Sequence, residues 1–207
     1  MKPATRAGVI SLLIIGALVL RPAMPQAFAP LTSKWANGTI TMHLALGGSG
    51  GLSDGASSFD AVATNALATW NTHLILARFS AAQGASAPRG DGDGTNVVFF
   101  DSKIYGMDFG EGTLAIATGW SIVSTGKKVE SDVVFNTKFM WDSYRGPQRS
   151  GPFDFQRVAL HEFGHTLGLD HPDENGQSVD AIMNSTAGDR DSLSADDIAG
   201  AVSLYGG

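Results

Sequence analysis

The chain has no cysteine among its 207 residues, so no disulfide can hold its loops together. It also has no basic stripe that could neutralise phosphates, and its formal net charge is −6. These absences exclude a disulfide scaffold and argue against nucleic acid as a partner. An acidic chain of this kind is expected to be soluble.

Long hydrophobic runs are missing too, apart from one near the start of the chain. Val9–Leu20 is apolar over 12 residues, whereas a helix needs roughly 20 residues to cross a bilayer. Lys2 and Arg6 precede this run, and Ala27-Phe28-Ala29 supplies the small residues of a signal-peptidase site. The pattern favours a signal peptide over residues 1–29 rather than a membrane anchor.

The remainder of the chain, residues 30–207, has the length of one domain. Loss of the leader removes basic residues and no acidic ones, so the mature chain is still more acidic. We expect a mature protein that starts at Pro30 and is secreted, to the extracellular space or the periplasm. After removal of the signal it should not contact a membrane, and it should be a monomer.

Acidic residues and glycines are concentrated between Gly90 and Gly112. The acidic residues of this stretch are Asp91, Asp93, Asp101, Asp108 and Glu111. Hard oxygen ligands on a flexible backbone suit calcium, which could support a chain without disulfides. Solvated turns have the same composition, so a calcium site and ordinary loops both remain open.

Hydrophobic periodicity predicts helices separated by short strands. The segments with apolar side chains at helical spacing are 58–72, 154–167 and 195–205. Ser57 or Ser58 can cap the first helix, and Ser194 with Asp197 can form a capping box for the last. The runs typical of strands are 39–44, 76–79, 96–100, 114–120 and 132–135. A small sheet with a few helices predicts an α/β or α+β fold.

One motif combines residue types that can bind a metal ion with an acidic residue that can transfer protons. The pattern HExxHxxGxxH is filled at every fixed position by His161, Glu162, His165, Gly168 and His171. Residues four apart lie on one face of a helix, so the first two histidines can bind the same ion with the glutamate beside them. Glycine tolerates the left-handed conformation that ends a helix, and the returning chain can supply the third histidine.

Three protein ligands predict a catalytic zinc site. A structural site is closed by four protein ligands, whereas three leave the fourth tetrahedral position for water. Zinc lowers the pKa of bound water to about 7 and polarises a carbonyl oxygen, and Glu162 can act as general base and then general acid. A bare HExxH arises by accident on amphipathic helices, but five fixed positions in a helical context favour zinc.

The motif is followed by Met183 in the segment Asp180–Asn184, and together they resemble the metzincin clan of zinc peptidases, which carry a methionine turn beneath the metal. Within this clan the chain is most similar to the catalytic domain of matrixins, the matrix metalloproteases. The similarity covers nearly all of residues 33–206. The segments that carry it outside the motif are 66–70, 114–117, 132–136, 193–198 and 204–206.

The resemblance implies a metzincin-like fold, in which a small twisted, mostly parallel sheet packs with about three helices, including the active-site helix and the methionine turn. Met183 is then a packing residue under the zinc rather than a ligand. Asp196 and Asp197 would join the last helix to the methionine turn or to the N-terminus, although such acidic residues also suit the helix dipole. Histidines that hold a second, structural zinc in many matrixins are replaced by Ile116 and Val134, so a single catalytic zinc is expected.

The resemblance also implies where a substrate binds. In the family an extended peptide pairs with an edge strand above the zinc, and the matching strand is Leu114–Ala117. The predicted substrate-binding residues are Leu114, Ala115, Ala117 and Val158. Val158, the motif helix and residues 184–191 would line the pocket for the residue after the cleaved bond.

These observations predict a secreted zinc-dependent endopeptidase that cleaves proteins or peptides, with His161, His165 and His171 on the zinc and Glu162 as base. Two other interpretations stay open: a zinc hydrolase of small amides, and a secreted binding module that keeps the fold without turnover. The intact Glu162 argues against the binding module, since a purely structural site needs no base.

Overall fold

The computed structural model describes residues 28–48, 50–84 and 86–206, so the predicted signal peptide lies outside the described residues except for its last two positions. The helices are α1 (Phe59–Asn71), α2 (Phe155–Leu167) and α3 (Ala195–Tyr205). The strands are β1 (Ala29–Pro30), β2 (Gly38–Ala45), β3 (Ala77–Gln83), β4 (Val97–Asp101), β5 (Ala115–Ala117), β6 (Trp120–Ile122), β7 (Lys127–Glu130), β8 (Val133–Asn136), β9 (Trp141–Asp142), β10 (Phe153–Asp154) and β11 (Leu169–Asp170).

A five-stranded sheet in the order β3-β2-β4-β8-β5 forms the frame. Its first four strands are parallel, and β5 runs antiparallel to β8 at one edge. The main core contains the contact between α1 and α2, where Trp70 and Phe155 are fully buried. Alternate strand residues, among them Val97, Phe99 and Val134, form a smaller cluster on the opposite face. The α+β fold with a mostly parallel sheet is therefore confirmed.

Local sequence sets the ends of the helices as predicted. Ser58 caps α1, and Ser194 with Asp197 forms a capping box at the start of α3. Gly168 ends α2 in the left-handed conformation, with φ of 110°. A side chain there would also come within 2.8 Å of the carbonyl oxygen of Ser33, so only glycine fits.

The prediction of one strand over residues 114–120 is wrong, because the chain forms two strands there. β5 ends at Ala117, and the pairing with β8 closes with a bond of 2.9 Å from the Thr118 amide to the Asp132 carbonyl. After Gly119 the chain leaves the sheet and forms the β6–β7 hairpin. β7 in turn is bridged to Lys34 on its other side.

Two short pairings, which sequence patterns do not predict, position the segments around α2. β1 is antiparallel to β11, which directly precedes His171. β9 is parallel to β10, which leads into α2. Among the described residues, no helix has the length and apolar character needed to cross a membrane.

Candidate metal centre and active site

Three imidazole nitrogens converge at one point. α2 places His161 and His165 one turn apart, and the chain reversal at Gly168 brings back His171. The three Nε2 atoms lie 3.0–3.2 Å from one another. Nitrogens bound to a tetrahedral zinc at 2.0–2.1 Å are about 3.3 Å apart, so the spacing fits a single ion. In the described parts of the chain, this is the one group of three or more His, Cys, Asp or Glu side chains close enough to share a metal.

The other nitrogen of each ring decides its tautomer. The Nδ1 atom of His161 lies 2.8 Å from the carbonyl oxygen of Ile182, and that of His165 lies 2.8 Å from the carbonyl oxygen of Leu169. The Nδ1 atom of His171 lies 2.9 Å from a carboxylate oxygen of Glu174. Because these oxygens accept hydrogen bonds, each Nδ1 carries the hydrogen and each Nε2 offers a lone pair. Three lone pairs that face one another repel unless a cation lies between them. This arrangement of ring nitrogens therefore indicates a metal centre.

Burial sets the charge of the groups on α2. It lowers the pKa of His161 to about 4 and that of His165 to about 3, so both rings are neutral at pH 7, the form that binds metal. Burial also raises the pKa of Glu162 to about 8, and a hydrogen bond from the backbone amide of Ala117 offsets part of this rise. Glu162 is 4% exposed, and its Oε2 has no hydrogen-bond partner among the described residues. A buried carboxyl oxygen without a partner beside an open cleft is the pattern of a functional group rather than a structural one.

Met183 packs against α2 at Gly164, one residue before His165. A Cβ on Gly164 would overlap the Met183 sulfur and approach the Trp70 ring to 3.2 Å. The glycine inside α2, which costs about 1 kcal/mol relative to alanine in a helix, therefore makes room for these two side chains.

The methionine turn is held by the last helix. The buried Asp197 carboxylate accepts hydrogen bonds from the amides of Ile182 and Met183 at 3.0 and 3.1 Å. The Ile182 carbonyl in turn orients His161. Asp197 thus joins α3 to the methionine turn, while Asp196 lies in the first turn of the helix.

A cleft of about 840 Å³ crosses the histidines. All four predicted substrate-binding residues line it: Leu114, Ala115, Ala117 and Val158. The Leu114 carbonyl accepts from the Asn136 amide and the Thr118 amide donates to the Asp132 carbonyl, both at 2.9 Å. Alternate residues of β5 therefore bond to β8, and the N–H and C=O groups of Ala115 and Ala117 point away from β8. Beyond Val158 the cleft is lined by Asn184–Gly188 and Arg190, close to the predicted pocket segment.

Lys128 is a cleft residue that the sequence analysis missed. It is only 4% exposed on β7, and burial lowers its pKa to about 8. Its ammonium donates to the carbonyl oxygens of His165 and Thr166 at 2.9 and 3.0 Å. Both carbonyls belong to the last turn of α2. His165 is the one basic side chain that the helix itself has in this turn. In the sequence, only the adjacent pair Lys127 and Lys128 marks this position. Strands on a protein surface often carry such a pair, so the burial of Lys128 could not be predicted from it.

The acidic glycine-rich stretch does not bring three carboxylates together in the described residues. Instead, the amides of Gly92 and Gly94 donate to the buried Glu130 carboxylate at 2.8 and 2.5 Å. Trp120 donates from its indole nitrogen to Asp91 at 3.0 Å. Protein contacts therefore order at least part of this stretch.

Comparison with known proteins agrees with the geometry. The matrixin family model matches residues 34–206. Macrophage metalloelastase of Oryctolagus cuniculus is 37% identical over 121 residues, which cover 54% of this chain and 23% of that protein. The chain thus spans less than a quarter of the length of this relative. The resemblance seen in the motif is confirmed, and the chain belongs to the matrixin family of zinc-dependent endopeptidases.

Proposed function

We propose that this chain is a secreted endopeptidase in which His161, His165 and His171 hold one catalytic zinc ion and Glu162 transfers the proton. The observation that carries the proposal is the convergence of three Nε2 lone pairs beside a buried carboxylate. Secretion is supported by the charge, apolar run and small residues of positions 1–29.

When bound, zinc supplies an electrophile that polarises the substrate carbonyl and lowers the pKa of water. Glu162 lines the cleft next to His161, where a bound zinc cation would favour its ionised form and the carboxylate would accept the proton of the attacking water. The same carboxyl then donates this proton to the nitrogen of the leaving amine. Burial of Glu162 keeps bulk water from competing for its oxygens.

Substrate recognition is proposed to occur through the backbone at β5. An extended polypeptide can pair with the outward N–H and C=O groups of Ala115 and with the C=O group of Ala117 by strand addition, because the Ala117 amide already faces Glu162. The cleft continues past the histidines toward Val158 and residues 184–190, which gives it room for side chains on both sides of the cleaved bond. This length favours a polypeptide substrate over a small amide.

The mechanism is tested with Glu162→Gln. Purified protein should bind one zinc by elemental analysis, digest unfolded casein, and lose activity with a chelator. The variant should keep its zinc but lose about 10²- to 10⁴-fold in kcat, the range for general acid–base groups. Asp108→Asn changes an exposed carboxylate outside the cleft to its amide; it is the control and should stay active. Full activity in Glu162→Gln would refute the assigned role.

Two further measurements test the substrate class and export. Mass spectrometry of a peptide library should reveal cuts at internal bonds, whereas a hydrolase of small amides would leave the peptides intact. N-terminal sequencing of exported protein should begin at Pro30. Retention of residues 1–29 in the exported chain would contradict the signal peptide.

A further inference from the structure

The three histidines of the candidate metal centre are anchored in two different ways. His161 and His165 are held by backbone carbonyls, which no substitution removes. His171 is held by a side chain, because its Nδ1 lies 2.9 Å from the Glu174 carboxylate. The Glu174 side chain is 63% exposed and the His171 side chain is 23% exposed. The third histidine is therefore the one whose orientation depends on a single carboxylate.

Both neighbours of Glu174 in the sequence are tethered. Asp173 accepts from the amide and the hydroxyl of Ser185 at 2.9 and 2.7 Å, which fastens the loop to the segment after the methionine turn. Asn175 donates from its side-chain amide to the His171 carbonyl at 2.8 Å. Exposed ion pairs ordinarily contribute little, because holding two long side chains in place costs entropy. Here the loop backbone is already fixed, so less freedom remains to be lost.

We propose that Glu174 is the positioning residue of the third zinc ligand and that its carboxylate sets how tightly His171 holds the metal. This inference rests on the zinc site of the proposed function. By accepting the Nδ1 hydrogen, Glu174 keeps the Nε2 lone pair free and directed at the other two histidines. Its negative charge also makes the ring a stronger donor to a cation.

Removal of the carboxylate frees the His171 ring in two respects. The ring can rotate, and it can adopt the tautomer in which Nε2 carries the hydrogen and cannot bind a metal. His161 and His165 keep their backbone partners in either case. His171 then becomes the ligand that releases zinc first.

The test compares zinc affinity in the wild type, Glu174→Gln and Glu174→Ala by competition with a chelator. Glu174→Ala should raise the zinc Kd about 10- to 100-fold, the range for partners of metal-bound histidines. Glu174→Gln should show a smaller rise, because its amide oxygen still accepts a hydrogen bond without the charge. Asp108→Ala removes another exposed carboxylate, one that pairs with Lys103 and lies outside the cleft, and should leave the Kd unchanged.

Two readouts on metal-free protein separate positioning from general support of the fold. The thermal midpoint of Glu174→Ala should equal that of the wild type. Long-range ¹H–¹⁵N spectra should show the Nδ1–H tautomer of His171 in the wild type and a mixture of tautomers in the variant. A zinc Kd within twofold of the wild type overturns the proposal. A fall in metal-free thermal midpoint that accounts for the lost affinity also overturns it.

The wild-type measurement separates this inference from the proposed function. If wild-type protein binds no zinc, both fall together. If it binds one zinc with high affinity and Glu174→Ala binds it equally well, only the role of Glu174 is refuted.

Discussion

The floor and the wall of the cleft are built differently. The floor, formed by α2 and the methionine turn at residues 181–183, is buried, and Met183 fits against the bare backbone of Gly164. The wall is formed by β5 with Lys128 of the β6–β7 hairpin, and outside the cleft this hairpin leaves Trp120, Ile122 and Val123 exposed by 47%, 44% and 100%. Close packing fixes the floor, whereas backbone hydrogen bonds define the wall. The molecule thus places a closely packed floor beside a strand edge with free backbone groups.

The largest effect is expected from truncation of a methionine in the floor, compared with a methionine on the surface. Met183→Ala leaves a cavity under the histidines and should lower the free energy of unfolding by about 2–5 kcal/mol. Met107→Ala removes the same atoms from a side chain that is 63% exposed, so its effect should stay within about 0.5 kcal/mol. Urea unfolding of both variants checks this. Equal effects would show that the floor is not more tightly packed than the surface.

Lys128 on β7 donates to carbonyls of α2 and so links the wall to the floor. Lys128→Met tests how much this contact stabilises the protein. The variant leaves the carbonyls of His165 and Thr166 without their donor, which should cost about 1–3 kcal/mol of unfolding free energy. Lys127→Met changes the exposed neighbour on the same strand and serves as control. If Lys128→Met proves more stable than the wild type, burial of the ammonium costs more than its two hydrogen bonds contribute.

The wall is tested by proline, which removes a single backbone N–H. Ala115→Pro removes one that faces the cleft, so KM for a peptide substrate should rise about tenfold, equal to the roughly 1.4 kcal/mol of one hydrogen bond, with little change in Tm. Ile116→Pro removes one that pairs with Val134 in the sheet and should lower Tm instead. The same KM for Ala115→Pro and wild type would contradict strand addition at this edge.

The effect confined to the narrowest range of conditions concerns Asp132, which lies behind the wall. Its buried carboxylate accepts from the Val97 amide at 2.8 Å and the Tyr105 hydroxyl at 2.5 Å, and burial raises its pKa to about 6. The unfolded chain titrates this group near pH 3.9, so the folded state binds the proton more tightly. Its contribution to stability should therefore grow as the pH falls from about 6 to 4 and stay constant above 6. Denaturant midpoints of the wild type and Asp132→Asn should diverge only between about pH 6 and 4. Parallel profiles would show that Asp132 is not the source of the pH dependence.

The sequence predicts the floor better than the wall, because the signals for the floor are local. Helical spacing, the glycine at position 168 and the capping box at Ser194 each act within a few residues, and all three helices lie where these signals place them. The candidate ligands share one short motif, so their convergence follows from one helix and one turn.

The wall depends on contacts between distant segments. The strand after Leu114 is predicted, but its early end and the β6–β7 hairpin are not, because β7 begins with two lysines and lacks a strong apolar alternation. The burial of Lys128 and the pairing of Glu174 with His171 likewise follow from the folded backbone rather than from any local pattern.

Asp197 makes the methionine turn depend on a segment that follows it in the chain. The amides of Ile182 and Met183 gain their acceptor only when the first turn of α3 has formed. A chain cut between the methionine turn and α3 would keep the three histidines and Glu162, yet it would lose the acceptor that fixes Ile182, whose carbonyl holds the His161 ring.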